Sequence, residues 1–176
     1  ISVVMPVFNR EKYVAESIES ILNQTFTDFE FIIVDDYSTD FSWNIIQQFA
    51  AKDSRIVAVK NTETKGCYAA RNFGYNMIRG KYYAIMDSDD ISLPERLQKD
   101  FDFMEQNPSI DVCGSWMQGF GAKEFVLQSE TEHEKIRDVN FFNSPIANPS
   151  AIMRASSLEK QDIYANCVAE DYEFYS

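Results

Sequence analysis

The chain alternates between short unbroken apolar runs and stretches whose apolar residues recur every three or four positions. ISVVMPVF opens it, and FEFIIVDD, RIVAVK and KYYAIM follow at intervals. Runs of this kind, rich in β-branched residues, predict strands buried on both faces of a parallel sheet. Between them the period becomes helical: Val14, Ile18, Ile21 and Leu22, then Ile46, Phe49 and Ala50, then a segment from about Gly66 to Met77. After the fourth run, Ser92 and Glu95 have the S-x-x-E spacing of a capping box, with Pro94 in the predicted first turn. Leu93, Leu97, Phe101 and Met104 would line one face of that helix. DVCGSWM predicts a further strand. Beyond Gly119 the rhythm breaks: FGAKEFVLQ reads as a strand or hairpin arm, ETEHEKIRDVNFF as a helix and PSAIMR as another strand. The alternation predicts an α/β domain with a mostly parallel central sheet flanked by helices.

In such sheets ligands bind beyond the carboxyl ends of the strands. Asn9 and Arg10 follow the first run, Asp35 and Asp36 end the second, and Asn61 follows the third. The fourth ends in Asp87-Ser88-Asp89-Asp90. If the strands are parallel, these carboxylates converge on one edge, where like charges need neutralising. A hard cation, Mg²⁺ or Mn²⁺, prefers oxygen ligands and is commonly held by one or two carboxylates plus substrate phosphates. The plainer alternative is a solvated acidic turn preceding a helix.

Composition narrows the function classes. The chain has 176 residues, the size of one domain, with 45% hydrophobic and 14% aromatic residues, enough for a core. Its 28 acidic and 16 basic residues give a net charge of −12, which argues against nucleic acid as partner. Cys67, Cys113 and Cys167 are widely spaced and odd in number, predicting free thiols in a reducing, cytoplasmic compartment. No apolar run is long enough to span a bilayer. His133, the single histidine, falls in a charged segment and reads as a surface residue, which leaves no His-based zinc site or Ser-His-Asp triad. Neither a P-loop nor a complete dinucleotide fingerprint is present. The sequence starts inside a strand without Met, so further chain is expected upstream.

In order, SVVMPVFNREKYVAESIESILNQT, FEFIIVDDYSTD, NTETKGCYAARNFGYNMIRGKYYAIMDSDDISLPERL, NPSAIMR and EDYEF resemble the family 2 glycosyltransferases. The resemblance covers nearly the whole chain. It implies the GT-A nucleotide-diphospho-sugar transferase fold, Rossmann-like, as a single catalytic domain over 1–176. Residues 1–118 would form the nucleotide-sugar-binding half, and 119–176 the start of an acceptor-binding half that continues past the end. It also implies inverting transfer of a hexosyl or N-acetylhexosaminyl group from a nucleotide sugar, a UDP-sugar above all, to a glycan or lipid-linked acceptor hydroxyl. Mn²⁺ or Mg²⁺ would assist. Polysaccharide or glycoconjugate biosynthesis is the implied setting, cytoplasmic, with peripheral membrane association through the C-terminal continuation left open.

Residue by residue, the resemblance places Pro6, Val7 and Phe8 at the nucleotide pocket, with Phe8 stacking on the base where many members have tyrosine. Asp36 would accept from the base, while Asp35 would cap or orient the loop. Gly66 and Arg71 would close over the donor, Arg71 towards the base or diphosphate or in an ion pair with Asp36 or Asp87. Asp89 would ligate the metal, with Asp87 touching the ribose or the metal and Ser88 against the donor. The role of Asp90 stays open. Asp171, of the pair Glu170-Asp171, would be the general base. Two other readings stand beside this one. DSDDI approaches the D-x-D-x-[T/V] motif of Mg²⁺-dependent haloacid-dehalogenase-type phosphatases, with Asp87 as nucleophile, but it follows the fourth run rather than the first and ends in Ile91. A nucleotide-sugar-binding module without transfer activity is the other.

Overall fold

The computed structural model describes residues 1–62, 65–121, 123–132, 135–136 and 146–158. The four apolar runs form β1 (Ser2–Val7), β2 (Glu30–Asp35), β3 (Ile56–Lys60) and β4 (Tyr82–Ile85). These pair in parallel in the order β3-β2-β1-β4, with Val4 beside Ile32 on one side and Ile85 on the other. PSAIMR supplies β8 (Ile152–Arg154), antiparallel to β4, and β5 (Val112–Cys113) completes the sheet against β8.

Strand alternation sorts the apolar residues onto two faces. Val3, Met5, Val7, Phe31 and Ile33 pack against α1 (Val14–Leu22), α2 (Ser42–Ala50) and α4 (Arg96–Gln106) through Val14, Ile18, Ile21, Ile46, Leu97 and Met104. Val4, Ile32, Val34, Tyr83 and Ile85 pack against α3 (Cys67–Tyr75) through Ala70 and Tyr75. Gly74 lets α3 approach closely: a Cβ there would lie 2.5 Å from a methyl of Val4 and 3.0 Å from one of Val34. Burial on both faces explains why these strands read as continuous rather than alternating runs.

The capping box does not form. Helix α4 begins at Arg96, and neither Ser92 nor Glu95 caps it. Instead the buried Gln24 reaches over from the end of α1. Its Oε1 accepts from the Leu97 N–H at 2.9 Å, while its Nε2 donates to the carbonyl of Leu93 at 2.8 Å and to Ser92 Oγ at 3.2 Å. The Ser92 N–H donates to Ser20 Oγ. With Ser92 held by α1 and the Pro94 carbonyl accepting from Thr25, the chain turns helical only afterwards. Leu93 is correspondingly 74% exposed rather than on the buried face. Gln24→Ala should lower the unfolding free energy by about 1–3 kcal/mol, through a lost cap and orphaned buried groups. Urea denaturation at constant m-value checks this.

DVCGSWM is also divided. Only Val112 and Cys113 join the main sheet; the chain then leaves it at Gly114, where a Cβ would overlap Ile146. Met117–Gly119 becomes β6, paired antiparallel with β7 (Phe125–Leu127) in a separate hairpin, and β7 lies in the strand or hairpin arm that the sequence pattern predicts over 120–128. Most of the helix expected over ETEHEKIRDVNFF lies outside the described residues.

Candidate functional site

In the order β3-β2-β1-β4, the chain winds outward from β1 to β3 and then returns to place β4 on the other side of β1. That reversal opens a crevice beyond the carboxyl ends of β1 and β4, the usual ligand position in open α/β sheets. A cavity of ≈ 490 Å³ lies there. Pro6, Val7 and Phe8 reach it from β1, and Asp36 from the end of β2. Gly66 and Arg71 border it at α3, and Asp87, Ser88 and Asp89 beyond β4. Every donor- or metal-binding residue expected from the sequence is therefore drawn into one cavity. Asp171, expected as the base, lies outside the described residues, as do Glu170, His133 and Cys167.

The loops after β1 and β2 interlock. Asn9 and Tyr37 both take left-handed backbone conformations, φ 52° and 60°. The Asn9 N–H donates to Ser38 Oγ and its Oδ1 accepts from the Thr39 N–H. The Arg10 N–H donates to Ser42 Oγ at 2.7 Å, and the Asp40 carboxylate accepts from the backbone of Glu11 and Ser42. Burial pushes the Asp40 carboxyl up, but the hydrogen bonds from Ser42 and Glu11 outweigh it and hold the group below its ordinary range. The YSTD segment thus braces the loop that carries Phe8.

Phe8 is not part of the core: it is 41% exposed, and Lys65 Nζ stands 4.3 Å from its ring centroid. Strand parity separates the adjacent aspartates. Asp36 faces the cavity, its carboxylate accepting from Asn61 Nδ2 at 2.8 Å and from the Gly66 N–H at 3.0 Å. Gly66 adopts φ +144°, a conformation L side chains rarely take, so a glycine brings that N–H to Asp36. Asp35 points to the other face of the sheet and is buried; its carboxylate accepts no hydrogen bond among the described residues, so it caps nothing there.

Beyond β4, the aspartates meet two arginines. Arg71, 5% exposed, donates from Nη2 to Asp87 Oδ1 at 2.9 Å. Arg10 Nε lies 3.3 Å from Asp89 Oδ2, in an ion pair with both side chains roughly half exposed. Arg96 anchors the loop from below, donating to the Ile85 and Ala151 carbonyls. Burial, then the charges of Asp87 and Asp89, push the Asp90 carboxyl up to about 6, against the partial offset of Arg96. A raised carboxyl opposes folding when ionised, so its effect on stability improves as pH falls from about 6 towards 4. With divalent ions chelated, a ¹³C carboxyl titration should show Asp90 changing charge near pH 6.

The donor set is all oxygen, crowded and acidic, which fits a hard divalent cation. Among the described residues no three His, Cys, Asp or Glu side chains converge as a ready-made cage. One or two carboxylates completed by ligand phosphates is the pattern that remains, and Asp89 and Asp87 border the cavity where it would form. Arg10, Lys65 and Cys67 also line it. Their signal in the sequence is position alone, just after β1 or at the start of α3. Cys113 is a free thiol, and burial raises it to about 12, so it is not a nucleophile. No described helix is long and apolar enough to cross a membrane.

Known proteins resemble this chain in sequence and fold. A glycosyltransferase of Methanocaldococcus jannaschii is 39% identical over 99% of this chain and 66% of its own length. The UDP-Glc:α-D-GlcNAc-diphosphoundecaprenol β-1,3-glucosyltransferase WfaP of Escherichia coli is 35% identical over 72% of this chain and 49% of its own. The chain thus spans about half to two thirds of the length of these relatives. Residues 1–349 of Staphylococcus aureus TarS, crystallised with UDP, superpose with a TM-score of 0.81 at 28% identity, covering 98% of this chain and 53% of that one. The sheet is that of the GT-A glycosyltransferases. The profile described as "Glycosyl transferase family 2" matches residues 2–161, and the chain belongs to that family.

Proposed function

We propose that this chain is the donor-binding catalytic domain of an inverting glycosyltransferase. It takes a sugar from a UDP-sugar to an acceptor hydroxyl on a glycan or a lipid-linked saccharide, in polysaccharide or glycoconjugate biosynthesis at the cytoplasmic face of a membrane. The observation that carries the reading is the cavity at the β1/β4 crevice, where an exposed ring, a carboxylate and an acidic loop line one space. The UDP named with TarS and the UDP-glucose and diphosphoundecaprenol named for WfaP support the choice of donor and acceptor class.

Phe8 offers its ring face to the base. Asp36 keeps lone pairs beyond those used by Asn61 and Gly66, and accepts from uracil N3–H. Pro6 and Val7 form the floor. Arg71 can give bidentate hydrogen bonds to phosphate, and its pair with Asp87 sets the guanidinium in place. Asp87 and Ser88 meet the ribose side, and Asp89 with Asp87 holds Mn²⁺ or Mg²⁺. A bound divalent ion supplies Lewis-acid stabilisation of the negative charge on the leaving diphosphate. Asp171 accepts the acceptor's hydroxyl proton as that oxygen bonds to the sugar's C1 and the bond from C1 to the diphosphate oxygen breaks. Residues 119–176 begin the acceptor side.

A thermal-shift screen of nucleotides and nucleotide sugars with Mn²⁺ tests the donor class. UDP and one or a few UDP-sugars should raise Tm most. A larger shift with guanosine or adenosine diphosphates, or none with any nucleotide, would contradict the reading.

A further inference from the structure

The cavity's acidic loop is not free to receive a cation as it stands. Arg10 Nε sits 3.3 Å from Asp89 Oδ2, an oxygen that a divalent ion would need. The backbone of Arg10 is fixed, because its N–H donates to Ser42 Oγ at 2.7 Å. The guanidinium is held far less well. Nη1 curls back to the carbonyls of Phe8 and Asn9 at 3.3 and 3.4 Å, both long for such bonds. Nε is buried yet forms no hydrogen bond among the described residues, so the Asp89 contact is an ion pair without a well-made N–H···O bond. An orphaned buried donor disfavours this pose. A half-exposed pair of this kind shifts an equilibrium by no more than about five-fold.

We propose that Arg10 is an exchange cation: it neutralises Asp89 while the ion is absent, and turns to the donor's diphosphate when a divalent ion takes its place. This rests on the donor-site reading above. Arg10 lines the same cavity as Arg71 and the acidic loop, so a small rotation of its side chain redirects it from carboxylate to phosphate. The consequence is thermodynamic. An ion binding alone must expel Arg10 and then sit beside an unpaired like charge. An ion binding with a nucleoside diphosphate gives the displaced guanidinium a new partner. Arg10 therefore makes ion and nucleotide bind cooperatively, and linkage makes that coupling equal in both directions. It is a positioning and coupling residue, and no proton moves through it.

The test is a binding cycle on the full-length protein. Mn²⁺ affinity without nucleotide is read by electron paramagnetic resonance of free Mn²⁺, and UDP affinity by calorimetry in Mn²⁺ and in EDTA. Arg10→Gln should tighten Mn²⁺ binding without nucleotide by about two- to five-fold. It should also weaken UDP binding in Mn²⁺, so that the ion–nucleotide coupling factor falls about ten-fold. Arg10→Lys, which keeps the charge without the planar fork, should leave Mn²⁺ binding near wild type and recover part of the UDP affinity. In an Asp89→Ala background, Arg10→Gln should no longer change Mn²⁺ affinity. A purely structural Arg10 would not tighten Mn²⁺ binding: unchanged or weaker Mn²⁺ affinity in Arg10→Gln, with an unaltered melting curve, overturns the exchange role. If Asp89→Ala itself binds Mn²⁺ and UDP like wild type, the donor-site reading has failed instead. Should Arg10→Gln not fold, an Arg10→Lys protein whose coupling factor equals wild type, with UDP affinity unchanged, counts against the assignment of the fork to phosphate.

Discussion

Asp171→Asn in the full-length protein is expected to bind donor with wild-type affinity and to lose transfer by about 10²–10⁴-fold. Asparagine keeps the size and most of the polarity of the side chain but cannot take a proton at neutral pH. The attacking hydroxyl then has no carboxylate beside it to take its proton. Product formation by chromatography, set beside UDP affinity by calorimetry, separates the two effects. Turnover near wild type would remove Asp171 from the base role and direct attention to Glu170 beside it. The alternative in which this chain only binds nucleotide sugars predicts no transfer by either protein, and so is settled by the wild-type control.

Asp89→Ala should cost at least about 100-fold in UDP affinity measured in Mn²⁺, since groups that merely orient a metal ligand already cost 10–100-fold. In EDTA the affinity should not fall, and should rise by at most about five-fold, because losing Asp89 removes a negative charge near the diphosphate and releases Arg10. The difference between the two conditions is the diagnostic, and an unchanged ratio would place the ion elsewhere. The loop leaves little room for a phosphatase with Asp87 as nucleophile. Asp87 lies beyond the fourth strand, tied to the nearly buried Arg71 of α3, and the chain belongs to glycosyl transferase family 2.

What was legible along the chain is what depends on local period. Val14, Ile18 and Ile21 lie on one helical stripe, and all three are buried against the sheet. The four apolar runs are unbroken because both sheet faces are covered, so a mostly parallel sheet could be read before any contact was known, though not the order of its strands. The site followed from that, since residues after parallel strands must share an edge. Long-range choices were not legible. Ser92 and Glu95 have the right spacing for a cap, yet Gln24 supplies the acceptor from the end of α1, and nothing local announces it. Asp35 and Asp36 are adjacent and chemically identical; only strand parity sends one to the face packed against α1, α2 and α4 and the other to the cavity. The pairs Arg10–Asp89 and Lys65–Phe8 join segments far apart in sequence, so their partners emerge only when β1, β4 and α3 are brought together.

In the proposed function, one cavity at the β1/β4 crevice binds a uridine diphosphate through a divalent ion on the acidic loop. Crystals of the protein grown with UDP and Mn²⁺, with anomalous scattering recorded near the manganese edge, test it most directly. A single strong anomalous peak is expected within coordination distance of an Asp89 carboxylate oxygen, with the uracil ring against Phe8 and its N3 facing Asp36. A manganese peak away from Asp87 and Asp89, or UDP bound outside this cavity, would contradict it.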